Sequence, residues 1–218
     1  MAQNLLMNPK SGGSSLAHFG ACVNACLGRR EYTVHFHTRL SIPNSTVTLR
    51  DPCERTWSAF LHLHDAYSNH GECTPPLPDR CASHWIHSMS YRAFVDRLVP
   101  LQLRWRPSTS RGFERHMVLV HPQAAWAANA TRVICTPALT AALEAMQPPR
   151  CDCARAVGTA EQRNSTGSGF EESLRLDFHQ PERECDRVRA AYPDDARLFA
   201  RHCGGAAALI TTPARGPQ

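Results

Sequence analysis

The chain has 218 residues, of which 42% are apolar and 20% charged, and its formal net charge is +5. This length can bury a substantial core, and this balance is typical of a globular protein rather than a disordered one. We predict no membrane span, because no apolar run approaches the roughly 18 residues required, and no nucleic-acid binding, because acidic residues are interspersed with the 24 basic ones.

The first part of the chain predicts a flexible arm followed by a β-hairpin. Residues 1–20 are polar and rich in Gly and Ser, which is typical of an unstructured terminus. From Glu31 onwards apolar and polar residues alternate strictly, and the alternation returns over residues 45–50. The turn signal Pro43-Asn44 lies between these two runs and predicts that they pair as antiparallel strands.

A helix is predicted to begin at Asp51. The run Asp-Pro-Cys-Glu that starts there combines an N-cap acid, proline at the first helical position and Glu three residues after the cap. Trp57, Phe60 and Leu61 follow at helical spacing. We expect this apolar stripe to pack on the core face of the hairpin, and Cys53 to be bonded to a distant segment.

The remaining pattern predicts short elements of both kinds. Alternation indicates strands over 101–106, 115–121, 131–135 and 174–178, and helical spacing indicates helices over 90–98, 136–146, 181–192 and 194–202. The predicted fold class is α+β, with an antiparallel β-rich sheet or sandwich and short helical excursions stapled by disulfides. Residues 21–204 are expected to form a single domain with a mobile loop over 154–169, and residues 205–218 a flexible tail.

Ten cysteines are spread along the whole chain. None of their close pairs has the two-residue spacing of a zinc knuckle. An even count of ten therefore predicts five disulfide bonds formed in an oxidising compartment. The predicted disulfide cysteines are Cys22, Cys26, Cys53, Cys73, Cys81, Cys135, Cys151, Cys153, Cys185 and Cys203.

Three triplets match the acceptor pattern for N-glycosylation, at Asn44, Asn129 and Asn164. Asn44 lies in a turn signal and Asn164 in a Gly- and Ser-rich loop, where a glycan would not disturb a core. Together with the cysteines, these sites predict a secreted or extracellular glycoprotein. Residues 1–20 contain no signal-peptide pattern, so we expect that a signal peptide has been removed.

Twelve histidines invite a search for a metal site. His35 and His37 lie two residues apart on a predicted strand, so both imidazoles would project from one face. The run from His62 to Asp65, with His70, resembles the His-x-His-x-Asp-His motif of metallo-β-lactamase-like hydrolases, but no His follows its Asp. We predict no metal, no cofactor and no catalytic residue, and we keep a metal-dependent hydrolase as an alternative function.

A recognition surface is the remaining candidate. Arg104 and Arg106 lie on the polar face of one predicted strand, and Arg39 and His37 on that of another. If the strands share a sheet, this face would bind an acidic protein or a sulfated glycan through forked hydrogen bonds. The predicted function is a secreted protein that binds an extracellular partner, as a ligand, receptor or cytokine-binding protein. The same features also fit a viral immune-evasion protein that captures a host cytokine or chemokine. An enzyme is less favoured than a binding protein.

We expect the protein secreted by animal cells to gain about ten hydrogens on reduction, corresponding to five disulfides. Enzymatic deglycosylation should lower its mass, with glycans expected chiefly at Asn44 and Asn164 and less occupancy at Asn129, which abuts a predicted strand. Intact-mass spectrometry measures both changes. Ten alkylatable thiols in the native protein would contradict the predicted compartment.

Overall fold

The computed structural model describes residues 2–8, 11–35, 41–68, 89–97, 99–100, 118–157 and 181–204. The elements in chain order are β1 (Gln3–Leu6), α1 (Gly13–Leu27), β2 (Tyr32–His35), β3 (Ser45–Leu49), α2 (Pro52–Ser68), α3 (Tyr91–Arg97), α4 (Ala124–Ala127), β4 (Ala130–Cys135), a 3-10 helix (Thr136–Ala138), α5 (Leu139–Met146), α6 (Pro181–Ala191) and α7 (Pro193–Cys203). The chain divides into two compact units. The first comprises Met1–Arg50, Gln123–Thr166 and Arg197–Gln218, and the second Asp51–Pro122 and Gly167–Ala196.

The sheet of the first unit is parallel throughout, with the strand order β2-β1-β3-β4. Leu5 pairs with Val34 of β2 and with Thr46 of β3. The predicted antiparallel, β-rich sheet or sandwich is therefore wrong, since most of the described secondary structure is helical and each strand pair runs in one direction. Alternation could not reveal this, because it gives the faces of a strand but not its direction.

The predicted hairpin over residues 31–50 is also wrong. Its two runs form β2 and β3, but β1 lies between them and pairs with both. β1 comes from residues 1–20, which were expected to be a flexible arm. Leu5 and Leu6 are both 0% exposed although they point to opposite faces of the sheet, so burial on both sides holds this short strand in place.

One face of the sheet packs on α1 and α5. Leu16, Phe19 and Val23 of α1 lie in one buried cluster with Leu5 and with residues of α5. The ring of Phe19 lies 5.6 Å from that of Tyr32, centroid to centroid. The apolar spacing of α1 therefore serves to cover β1 and β2, as expected for a helix that connects two parallel strands.

Four disulfides join described residues. The first unit holds Cys22–Cys153, Cys26–Cys151 and Cys135–Cys203, and the second holds Cys53–Cys185. Cys53 is thus bonded to a distant segment, as predicted. Cys73 and Cys81 lie outside the described residues. These disulfides are consistent with an extracellular protein, and in the part of the chain that the structure describes no helix is long and apolar enough to cross a membrane.

The predicted helix at Asp51 is confirmed as α2 in the second unit. The Asp51 carboxylate accepts hydrogen bonds from the backbone N–H groups of Cys53 at 2.9 Å and of Glu54 at 3.4 Å. Trp57 packs with its ring centroid 4.9 Å from that of Tyr91 on α3. The apolar stripe therefore contributes to an aromatic cluster inside its own unit, and the expected hairpin against which it would pack does not exist.

A buried ion pair lies in the second unit. The side chains of Arg55 and Asp195 are 3.4 Å apart and both 0% exposed, and the Arg55 guanidinium donates to the His121 carbonyl at 2.7 Å. It also lies 5.1 Å from the ring centre of Tyr192. Burial raises the pKa of Tyr192, so the phenol stays protonated and donates to the Val120 carbonyl. These bonds satisfy charges that would otherwise be costly to bury.

Most other predicted helices are present, whereas most other predicted strands are not described. The helices over 90–98, 181–192 and 194–202 correspond to α3, α6 and α7, and the helix over 136–146 to the 3-10 helix and α5. The strand over 131–135 is β4. Residues 118–120 form a 3-10 turn where the end of a strand was expected. The predicted strands 101–106 and 174–178, nearly all of the loop 154–169 and the tail 205–218 lie outside the described residues.

Substituting Trp57 tests the aromatic cluster of the second unit. Because its side chain is buried between aromatic rings, Trp57→Ala should lower the free energy of unfolding by about 3–5 kcal/mol. Asp51→Ala, which removes a helix cap, should lower it by only about 1 kcal/mol. Chemical denaturation of the secreted proteins compares the two. An unchanged midpoint for Trp57→Ala would show that the ring faces solvent.

Candidate functional site

The candidate site lies at the carboxyl edge of the sheet in the first unit. All four strands are parallel, so the segments that follow β1 and β3 leave the sheet at the same edge. The strand order reverses between these two strands: the chain passes from β1 to β2 on one side, and then to β3 and β4 on the other. In open parallel sheets, the crevice at such a reversal is the usual ligand site.

The turn from β1 to α1 is built to bring backbone N–H groups to this edge. Gly12 has φ +79° and precedes α1 without a side-chain cap, and the first turn of α1 contains no acidic residue. A Cβ added at Gly13 would lie 2.4 Å from the backbone oxygen of Asn8, so only glycine fits there. The first N–H groups of α1 lie at the positive end of its dipole, an arrangement that suits an anion.

Buried polar atoms lie beside this turn. The Asn8 side chain donates to the Thr48 backbone oxygen of β3 at 3.1 Å, which ties the end of β1 to its neighbour. Asn8 and Thr48 are both 0% exposed. Within the described residues, the Asn8 Oδ1 and Thr48 Oγ1 atoms have no hydrogen-bond partner. Buried polar atoms normally have partners, so these two indicate a place for a ligand or ordered water.

The end of β3 is tied to the same turn by side chains that flank β4. Gln123 accepts from the Ser11 hydroxyl at 2.6 Å and from the Arg50 backbone N–H at 3.0 Å, and it donates to the Arg50 carbonyl at 2.8 Å. The Thr136 hydroxyl lies 2.8 Å from the Leu49 carbonyl and 3.3 Å from that of Ser11. The partly exposed Arg50 thus occupies a fixed backbone position at the carboxyl edge.

The sequence predicts a recognition surface of four Arg and His residues. Arg39, Arg104, Arg106 and His37 lie outside the described residues. His35 is described, and its Nε2 lies 3.0 Å from the Asn4 amide oxygen. Among the described residues, no group of three or more His, Cys, Asp or Glu side chains could hold a metal ion.

The glycosylation sites remain predictions. Asn44 and Asn129 are exposed, and Asn164 lies outside the described residues. Asn44 has φ +54°, a left-handed conformation that Asn tolerates better than most residues. The Asn129 side-chain amide donates to the Ser41 hydroxyl at 2.6 Å, so a glycan there would have to replace this bond.

Sequence reasoning missed the β1–α1 turn, although a signal was present. The apolar run Leu5-Leu6-Met7 is followed by Asn-Pro-Lys-Ser-Gly-Gly and then by helical spacing from Leu16. Strand, glycine turn and helix in this order are typical of phosphate-binding loops. This run differs from the usual phosphate-binding motif, because Lys10 precedes the glycines instead of following them. No sequence signal would have placed Gln123, which lies 112 residues from its partner Ser11.

No protein-family model matches the chain, and no curated protein or solved structure is significantly similar to it.

Substituting Gly13 tests how closely this residue approaches the backbone of Asn8. Gly13→Ala should lower the free energy of unfolding by about 3 kcal/mol, because the new methyl group would meet the backbone of Asn8 rather than a movable side chain. Gly28→Ala is the matched control, since Gly28 ends the same helix at φ +62° with nothing within 4 Å of an added Cβ. It should cost only about 1 kcal/mol. Thermal unfolding compares both variants, and equal losses would contradict the close approach at Gly13.

Proposed function

We propose that the chain is a transferase of the secretory pathway that binds a nucleotide carrying two separated phosphate groups. The observation that carries this proposal is the α1 N-terminus without a side-chain cap, which follows β1 at the reversal of a parallel sheet, beside Arg50 at the end of β3. The sequence favoured a binding protein over an enzyme. The parallel sheet and its anion-binding edge, which the sequence did not predict, favour a nucleotide-dependent enzyme instead.

The first anion point is the start of α1. Its backbone N–H groups bind a phosphate without needing a cationic side chain, because they are preorganised by the Gly12-Gly13 turn and aligned with the helix dipole. The buried Asn8 and Thr48 oxygens lie next to this point and would accept hydrogen bonds from hydroxyl or amino groups of the same ligand.

The second anion point is Arg50, at the end of the neighbouring strand. An arginine fork binds a phosphate in a bidentate manner. Two anion points on adjacent strands fit a ligand whose phosphates are on different positions of the sugar. A dinucleotide such as NAD fits less well, because its pyrophosphate needs one glycine turn and its ribose needs an acid after the second strand. The residues that follow β2, from Phe36 to Leu40, include no acid.

The nucleotide class that meets these requirements is the 3′-phosphorylated adenosine 5′-phosphosulfate type, a donor of sulfuryl groups. In such a transfer an acceptor hydroxyl oxygen attacks the sulfur and releases its proton to solvent, the bond between the sulfur and the bridging phosphate oxygen breaks, and adenosine 3′,5′-bisphosphate leaves with the electron pair of that bond. The described residues supply binding and orientation, which account for much of the rate enhancement in group transfer. The disulfides are compatible with action outside the cytosol.

Isothermal titration calorimetry with adenosine 3′,5′-bisphosphate tests the proposed function. We expect this nucleotide to bind more tightly than NAD, and Arg50→Ala to weaken its binding by about tenfold or more through loss of charge-assisted hydrogen bonds. The matched control is Arg29→Ala, because Arg29 lies in the loop before β2, at the opposite edge of the sheet, where it pairs with Glu31 at 3.4 Å. Absence of binding, or equal effects of the two substitutions, would contradict the proposal.

A secreted protein that binds an extracellular protein partner is the second candidate. The four disulfides of the described residues support extracellular residence, which both candidates share. A viral protein that captures a host cytokine or chemokine is one form of this candidate. Specific capture of a protein from plasma by the wild-type chain, together with no nucleotide binding, would favour the second candidate over the first.

A further inference from the structure

Two side chains that flank β4 contact both the β1–α1 turn and the end of β3, where the two proposed anion-binding points lie. Gln123 precedes β4 and Thr136 follows it, and both contact Ser11 of the β1–α1 turn as well as the end of β3. We call this pair the Gln123–Thr136 clamp. Its members reach across 112 and 125 residues of sequence to Ser11, so the folded sheet alone brings them together.

The contacts of Gln123 leave its partners little freedom. Its amide accepts from the Ser11 hydroxyl at 2.6 Å, and it makes both an accepting and a donating bond to the backbone of Arg50, at 3.0 and 2.8 Å. Gln123 is 1% exposed, so water does not compete for these bonds. A side chain that holds both backbone groups of Arg50 fixes the position and orientation of that residue, not merely its distance from the turn.

We propose that the Gln123–Thr136 clamp is a positioning device that sets the spacing between the α1 N-terminus and Arg50, and thereby selects ligands with two separated phosphates. This inference rests on the proposed function. A ligand with one phosphate needs only one anion point, so its affinity does not depend on the spacing. A ligand with two phosphates needs both points at once, so a change in spacing weakens its binding selectively.

The test measures the affinity of the full-length chain for adenosine 3′,5′-bisphosphate and for adenosine 5′-monophosphate by calorimetry. The ratio of the dissociation constant for the bisphosphate to that for the monophosphate reports the spacing. A general loss of folding would instead weaken the binding of both ligands alike. Gln123→Leu removes the side-chain hydrogen bonds to Ser11 and Arg50 at similar volume. Thr136→Val removes the hydroxyl of Thr136 with almost no change of shape, and it decides the question if Gln123→Leu does not fold.

We expect Gln123→Leu to weaken the bisphosphate by about tenfold or more and the monophosphate by less than about threefold, and Thr136→Val to change the ratio in the same direction by a smaller factor. Gln147→Leu is the matched control. The Gln147 side chain accepts from the Ala154 backbone N–H at 3.0 Å, far along the chain from the β1–α1 turn, so its loss should leave the ratio unchanged.

The outcomes separate the two proposals. If the wild-type chain binds neither nucleotide, the proposed function fails and the clamp has no ligand to select. If the wild type binds both but the variants weaken both equally, or leave the ratio unchanged, the clamp is structural only and the proposed function stands. A rise in the ratio of the bisphosphate dissociation constant to the monophosphate dissociation constant in both clamp variants, but not in Gln147→Leu, supports the positioning role.

Discussion

The parallel pairing of β1 with β2 on one side and β3 on the other is the interaction on which the first unit depends. β1 has only four residues, and Leu5 and Leu6 bury one side chain on each face of the sheet. β1 is central, so α1 starts at the carboxyl edge of the sheet. The chain order reverses between β1 and β3 because β2 and β3 lie on opposite sides of β1. The glycine turn, the start of α1 and Arg50 all lie at this edge because of this one placement.

The disulfides reinforce the same arrangement from the other end of α1. Cys22 and Cys26 lie one helical turn apart and are bonded to Cys153 and Cys151 respectively. These bonds close loops of 131 and 125 residues, which restricts the unfolded chain more than a short loop would. Since the strands have only four to six residues, covalent links to α1 supplement a small core and keep the N-terminus of the helix in place.

The site uses backbone and buried amides more than charged side chains. The α1 N-terminus needs no cation to attract a phosphate, and the Asn8 and Gln123 amides fix the surrounding segments without adding charge. In the proposed site, Arg50 would add a directional fork instead of a diffuse positive field. In the proposed transferase, such a preorganised edge would need little reorganisation on nucleotide binding, which helps to orient a reactive group.

The sequence by itself determined which cysteines are available for bonding, where several helices begin and which residues of β4 form a strand. These features are local: the cap at Asp51, for example, needs only the N–H groups of Cys53 and Glu54. The direction of the strands was decided only by tertiary structure, because alternation is the same in parallel and antiparallel sheets. β1 was missed because four residues in a Gly- and Ser-rich context carry too little pattern, and their strand character comes from burial between two neighbours. The candidate site also depends on tertiary structure, since Gln123 lies beside Ser11 and Arg50 only in the folded sheet, in which β4 pairs with β3.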